Sequence, residues 1–245
     1  LPEARAVNAA IITARGGSKS IPRKNLLLVC GKPCLVWQIE AAKEARKVHR
    51  VFCLTDDDEI IDVASAAGAE IIIEPDWGCE GDHQRSIPYA VAAVKKLDAE
   101  LDLVAVLLGN TAMTTGTLID ECLHLLRVRP DLTGCMTVWR AQDDHPYRAM
   151  WADLAGHLRP WSEKRGVGTN RQGYPPVYYY DNRVWAFRAA VAEMREGPAP
   201  WTWMGARCAP VVKPWITGRD IHGPLDIWAN EQYRARIKEL EAHAE

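Results

Sequence analysis

The stretch AAIITARGGSKSIPRKN, residues 9–25, joins an apolar run to a loop crowded with cations. A short continuous apolar run that stops at glycine reads as a buried strand, here Ala9–Ala14. Arg15, Lys19, Arg23 and Lys24 then follow among Gly16, Gly17 and Ser18, with no acid between Ala14 and Asn25. So much positive charge on a flexible turn, directly after a buried strand, is the feature to be explained.

Working outward, the pattern of strand then helix repeats. Pro33–Lys47 reads as a helix with proline in its first turn and Leu35, Val36, Ile39 and Ala42 on one side. Val51–Thr55 is a second strand, and Asp57–Ala67 a helix ended by Gly68. Glu70–Ile73, His83–Leu97, Leu103–Leu108 and Thr117–Val128 continue the alternation, with Pro88 awkwardly placed inside the third helix. Thr133–Trp139 and Val184–Phe187 have strand character, and Leu225–Ala242 closes as an amphipathic helix with Trp228, Tyr233, Ile237 and Leu240 available to pack. Repeated βαβ units with right-handed crossovers give an α/β fold: a Rossmann-like, mainly parallel sheet flanked by helices. Residues 1–245 read as one domain, and the Pro-, Trp-, Tyr- and Arg-rich stretch 140–182 as an arm inserted in it.

Composition narrows the partners. Thirty Lys and Arg against thirty-two Asp and Glu give a net charge of −2, which argues against bulk binding to nucleic acid or a membrane surface. Seven cysteines without a CxxC pair fit neither a zinc knuckle nor a disulfide framework, so reduced thiols are expected. No apolar run approaches the roughly 20 residues of a membrane span, and the start shows no signal-peptide pattern, so the expected location is cytoplasmic.

In a parallel α/β sheet, ligands sit beyond the carboxyl ends of the strands, where Arg15–Asn25 falls. Glycines let backbone N–H groups approach an anion, and cations neutralise it. The spacing matches neither the P-loop pattern nor GxGxxG. A phosphate-rich ligand is the expectation, against the plainer reading of a solvated basic loop.

The same residues resemble a known family. ARGGSKSIPRKN is similar to the nucleotide-binding signature of the acylneuraminate and keto-deoxy-octulosonate cytidylyltransferases. The resemblance extends through Gly31-Lys32-Pro33, Leu54-Thr55-Asp56, Asp82, Arg171-Gln172 to Asn182, and Gly218-Arg219-Asp220-Ile221. It implies that Arg15, Lys19 and Lys24 hold the triphosphate of CTP, with Ala14, Gly16, Gly17, Ser18 and Asn25 adding neutral contacts. Thr55, Asp56 and Asp82 would complete the nucleotide side. A nucleotidyl transfer needs just this, because charge spreads over phosphoryl oxygens and is met by positioned cations. Mg²⁺ on Asp220, with Asp226 as a second carboxylate or else a helix cap, is the implied metal site. A homodimer joined through the arm is implied as well.

Four departures bear on the acceptor, whose expected contacts are Gly109, Asn110, Thr111, Arg148, Arg171, Tyr178, Asn182, Arg183 and His222. Gly109 stands where relatives carry the Gln that contacts the sugar acid. Asp220-Ile221-His222 replaces an Asp-Ile-Asp metal pair, and imidazole is a poor partner for Mg²⁺. Glu74 stands near the base, where relatives commonly have Arg, and suits the exocyclic amine of cytosine or of guanine. Arg183 follows Asn182 in place of Gly. A nonulosonic, sialic-acid-like sugar acid is the leading acceptor. A small phosphonate is the alternative, since its ionised oxygen needs no base and Arg148, Arg165, Arg171 and Arg183 offer forks for it. A nucleotide-binding protein without transfer activity is a further reading, and an RNA-binding module is opposed by the net charge. Asp57 and Asp58 are read as helix caps, His145 as structural, and Tyr178, Tyr179, Tyr180 and Trp185 as packing aromatics.

Overall fold

The computed structural model describes residues 6–17, 21–76, 83–162, 168 and 170–242. Strand β1 (Val7–Thr13) is followed by the short β2 (Leu28–Val29) and β3 (Lys32–Pro33), then α1 (Cys34–Glu44), β4 (Arg50–Thr55) and α2 (Asp58–Ala66). Next come β5 (Glu70–Ile73), α3 (His83–Leu97), β6 (Leu101–Leu108), α4 (Gly116–Val128) and β7 (Gly134–Arg140). Within the expected arm lies the hairpin β8 (Met150–Ala152) and β9 (Leu158–Pro160). The long β10 (Tyr178–Arg188), β11 (Cys208–Val212) and α5 (Pro224–Ala242) complete the order.

Seven strands form one sheet in the order β11-β7-β10-β6-β1-β4-β5. All pairings are parallel except those of β10, which runs against both β6 and β7. Strand alternation divides the core in two. Ala10 and Ile12 of β1, with Leu103, Ala105 and Leu107 of β6, face α1, α2 and α4. Ala9 and Ile11, with Val104 and Val106, face α3 and the buried Trp203. The carboxyl ends of β1, β4, β6 and β7 therefore share one edge, and that edge positions the site.

Helix ends follow their sequence signals. Asp57 caps α2, its carboxylate accepting the Ile60 N–H at 3.0 Å, and Thr115 caps α4 through the Leu118 N–H at 3.2 Å. α3 continues through Pro88 because Ile87, Ala90, Val91 and Val94 are buried against the sheet, which outweighs one lost hydrogen bond. β11 is absent from the sequence reading for a physical reason: Pro210 lies inside it. A proline is tolerated at the outer edge of a sheet, which is where β11 sits.

α5 docks differently from its apolar pattern. Trp228, expected to pack, is 58% exposed, while Asn230 and Tyr233 are buried. The Arg234 guanidinium lies 3.8 Å from the Trp37 ring centroid, and Lys32 lies 3.9 Å from the same ring, so Trp37 of α1 receives cation–π contacts from two residues. Leu240 belongs to the part of α5 whose side chains lie outside the description. Asp226 is the helix cap of the two roles left open for it. It stands three residues after Gly223, and its carboxylate accepts the N–H groups of His222 (2.9 Å) and Gly223 (3.0 Å) and the Arg219 guanidinium (3.0 Å). That is the reach-back half of a capping box.

Burial alone would raise the Asp226 carboxyl, but the His222 N–H, Arg219 and the Gly223 N–H outweigh it and hold the group below the usual carboxylate range. A depressed folded-state pKa means its contribution is complete above about pH 4 and is lost as pH falls through the folded value. Asp226→Ala is therefore expected to cost about 1 kcal/mol at pH 7 in a urea titration, and the difference from the parent should shrink below about pH 4.

Candidate active site

Four cations stand in Arg15–Lys24, and the structure gives them different fates. Arg23, in the left-handed conformation at φ 56°, turns its guanidinium onto α2. There it pairs with Asp57 at 2.6 Å and with Glu59. Its charge is spent on closing the loop. Lys19 and Ser18 lie outside the described residues, as does Asp82. Arg15 and Lys24 remain. Burial pulls the Lys24 ammonium below its ordinary value, the Asp220 carboxylate opposes that pull and the Arg15 guanidinium adds to it. Two cations at opposite ends of the loop thus share one field with an acid from far along the chain.

The loop is held open by local bonds. Gly16 N–H donates to Asp56 Oδ1 at 2.9 Å, and Asn25 Nδ2 donates to the Arg15 carbonyl at 2.9 Å. Gly16 admits no side chain, because a Cβ there would stand 2.3 Å from an Asp57 carboxylate oxygen. Asn25 is buried, so it acts as a latch on the loop and not as a free ligand group. Ala14 is buried too, and offers a ligand only its backbone. Thr55 is fully buried with its hydroxyl accepting the Asp57 N–H, which withdraws it from the predicted nucleotide contacts. Gly17 is exposed at the loop's crest.

Glu74 leaves the end of β5 beside Asp56. Burial is the main cause that raises its carboxyl, the Asp56 carboxylate adds to it, and a Ser86 hydrogen bond and Arg15 oppose it. Asp56, Glu74, Ser86 and Arg15 thus form one flank of the loop. The sequence placed Glu74 there but offered no signal for Ser86.

The other flank is built by β6 and the segment before α5. Asn110 Nδ2 donates to Asp220 Oδ2 at 3.1 Å, His222 Nε2 lies 2.7 Å from the same oxygen, and the Ile221 N–H donates to the Asn110 carbonyl at 2.8 Å. Asn110, Asp220 and His222 are therefore one cluster, with His222 mostly exposed. Behind it stands Asn230, fully buried on α5. Its Oδ1 accepts the Ala112 N–H (2.7 Å) and the Thr111 hydroxyl (3.4 Å), while its Nδ2 donates to the carbonyls of Arg219 and Asp226, both at 2.8 Å. No sequence motif marked this residue.

Several expected acceptor contacts are placed elsewhere. Thr111 is fully buried and spends its hydroxyl on Asn230 and the Met113 N–H. Gly109 packs toward the nucleotide loop: a Cβ would meet Ala14 Cβ at 3.0 Å and Asn25 Oδ1 at 3.2 Å. Arg183 is 3% exposed, and its Nε and Nη2 both donate to Asp181 Oδ2, at 3.0 and 2.8 Å. Thr137 hydrogen-bonds the other oxygen of Asp181. The pair forms at a bulge of β10, where the register shifts between Tyr180 and Trp185. Asn182 itself adopts φ 61° between them. Arg148 is exposed and pairs with Asp143 at 3.1 Å. Arg171 opens a short turn, Arg171–Gly173, and Arg165 lies outside the described residues. Tyr178 is 41% exposed opposite Arg140. Tyr179 stacks on Trp139 with centroids 4.7 Å apart, and His145 is buried with both ring nitrogens bonded, as structural readings required. Six described cysteines are free thiols, and no described helix is long and apolar enough to cross a membrane.

Solved structures share this architecture. A CMP:2-keto-3-deoxy-manno-octonic acid synthetase solved with CTP superposes at a TM-score of 0.67 over 95% of this chain and 99% of its own, with 19% sequence identity. A 4-diphosphocytidyl-2C-methyl-D-erythritol synthase from Anaerococcus prevotii superposes at a TM-score of 0.66 over 94% of this chain and 99% of its own, with 16% identity. The mainly parallel sheet flanked by helices is thus a fold shared with both. The family profile described as Cytidylyltransferase matches residues 9–142, and the chain belongs to that family. Among curated relatives, the 3-deoxy-manno-octulosonate cytidylyltransferase of Maricaulis maris is 35% identical over 50% of this chain and 46% of its own. The pseudaminic acid cytidylyltransferase of Campylobacter jejuni is 38% identical over 38% of this chain and 40% of its own. The matched part therefore spans less than half the length of these two relatives.

Two outcomes follow. Lys24→Ala should weaken CTP binding by about ten- to a hundredfold in calorimetry, the range of one lost charge-assisted hydrogen bond, with little change in melting temperature. Arg183→Met should instead leave Asp181 buried and unpaired, lowering stability by about 3–5 kcal/mol in denaturant titration.

Proposed function

We propose that this protein transfers CMP from CTP to a hydroxyl of a small sugar acid, releasing pyrophosphate. The observation that carries the reading is the convergence of Lys24 and Arg15 with Asp220 at the carboxyl edge of the sheet, in a chain of the cytidylyltransferase family. Arg15 and Lys24 bind the phosphates and meet the charge that develops as the α-phosphorus is attacked. Asp56 holds the loop backbone in place through Gly16. Glu74, on the flank of the loop, suits the exocyclic amine of cytosine or of guanine alike, so the choice of CTP rests on the family match.

Mg²⁺ fits the donor set through one carboxylate. Asp220 Oδ2 is engaged by Asn110 and His222, which leaves Oδ1 as a hard oxygen ligand, and phosphate oxygens supply the rest. When bound there, the ion neutralises charge on the departing pyrophosphate. His222 is held by Asp220 and is not needed as a ligand. Asp226, committed to its helix, is not one either.

A sugar acid is favoured over a phosphonate because Arg183, a leading guanidinium for a dianion, is already neutralised by Asp181. A homodimer is part of the proposal, supported by exposed Met150, Trp151 and Leu158 on the β8–β9 hairpin. The test is a pyrophosphate-release assay with CTP and Mg²⁺, offering 3-deoxy-manno-octulosonate, pseudaminic acid, sialic acid and a hydroxyalkylphosphonate in turn. Turnover with a sugar acid is expected. Turnover with the phosphonate alone would replace the acceptor, and tight CTP binding without pyrophosphate from any acceptor would make the protein a nucleotide binder.

A further inference from the structure

An ion pair whose charge the site does not use lies against the segment that carries Asp220. Asp181 and Arg183 of β10 are both buried. The carboxylate finds its partners inside the protein: Oδ1 accepts the Thr137 hydroxyl and the Arg183 N–H (3.2 Å), and Oδ2 accepts the Arg183 Nε and Nη2 (3.0 and 2.8 Å). Thr137 also takes the Val184 N–H at 3.1 Å. A carboxylate so engaged has no lone pair to spare for a ligand. Against an apolar pair of the same shape, an ion pair this far from water adds little net stability, so its place in the fold points to another role.

That role is visible at Gly218. A Cβ there would stand 2.3 Å from Asp181 Cβ, 2.9 Å from its Cγ and 3.0 Å from its Oδ2. Gly218 has φ −119° and ψ 39°, on the negative-φ side that alanine also adopts. Its backbone therefore does not demand glycine; the Asp181 side chain does. The nearest contact is to the Asp181 Cβ, which moves only with the β10 backbone. The carboxylate beyond it is locked by its bonds to Thr137 and Arg183. Gly218 thus lies flat against a surface that cannot yield.

Asp220 stands two residues further on, in a segment held from three sides. Gly218 abuts Asp181 of β10, the Arg219 carbonyl accepts from Asn230 of α5 at 2.8 Å, and the Ile221 N–H donates to the Asn110 carbonyl beyond β6 at 2.8 Å. The two hydrogen bonds draw the segment toward α5 and β6, and the Asp181 contact stops it on the side of β10. We propose that Asp181, locked by Arg183 and Thr137, is a positioning residue that sets where the Asp220 carboxylate stands opposite Lys24 and Arg15. Its bearing on turnover rests on the cytidylyl-transfer reading; the placement of Asp220 does not.

Gly218→Ala adds one methyl at this contact, and Gly223→Ala is its control, adding a methyl to the same segment where nothing lies within 4 Å. Amide hydrogen exchange on the full chain reads the placement through the Ile221 N–H, which is buried and bonded to Asn110. Gly218→Ala is expected to speed Ile221 exchange about tenfold relative to the amides of β1 and β6, the range of one weakened hydrogen bond. In the pyrophosphate assay its kcat should fall about ten- to a hundredfold, as for a misplaced group, with KM for CTP within about threefold of the parent. Gly223→Ala should change neither. Arg183→Met, which removes the guanidinium bonds from Asp181, should also speed Ile221 more than the central strands. Unchanged Ile221 exchange in Gly218→Ala, or unchanged kcat in an active parent, overturns the proposal. So does acceleration shared equally by β1 and β6, which would make the contact merely structural. A parent that releases no pyrophosphate with any acceptor, yet shows the Ile221 effect, would sink the transfer reading and leave the placement of Asp220 standing.

Discussion

A single buried amide on the last helix ties the catalytic edge together. Asn230 makes four hydrogen bonds, to the Ala112 N–H, the Thr111 hydroxyl and the carbonyls of Arg219 and Asp226. Its full burial makes each of those bonds obligatory, since an unmet donor or acceptor there costs about 1–3 kcal/mol. The loop leaving β6 and the segment entering α5 are thereby fixed to one another, and Asn110 and Asp220 meet because of it. The cationic loop supplies charge, and Asn230 supplies the frame that sets an acid opposite that charge.

The two loops also lean on each other at Gly109. With no side chain there, the Asn25 amide closes onto the Arg15 carbonyl, and the Gly109 N–H donates to the Thr13 carbonyl at 2.9 Å. Relatives were expected to carry Gln at this place to touch the sugar acid. Here the position packs against the cationic loop instead, and a side chain would collide with Ala14 and Asn25. The buried Asp181–Arg183 pair on β10 is neutral overall, its guanidinium already compensated by a carboxylate.

Most of the first half of the fold was legible in the sequence, because β1 to α4 alternate apolar runs with helical spacing and end at capped or glycine-marked positions. β11 was hidden by Pro210, which is at home only on an outer edge that a single sequence does not reveal. The phosphate loop was legible because charge and glycine concentrate within Ala14–Asn25. Which of its cations remain for a ligand was not: Arg23 is claimed by Asp57 and Glu59, residues more than thirty positions away. The burial of Thr111 was hidden from the motif, since its hydroxyl meets the Asn230 side chain only once α5 is docked. The contact of Gly218 with Asp181 joins β10 to the segment before α5, a juxtaposition no local pattern announces.

The wide separation in sequence between the cationic loop and Asn230 has a consequence for a nascent chain. Residues 15–25 leave the ribosome long before residues 219–230, and β1 can begin pairing with β4 and β6 in that interval. Until α5 arrives, Lys24 has no Asp220 beside it and nothing clamps residues 110–112. The Asn110–Asp220 cluster is therefore expected to assemble only after residues 219–230 have emerged and α5 has docked on Trp37.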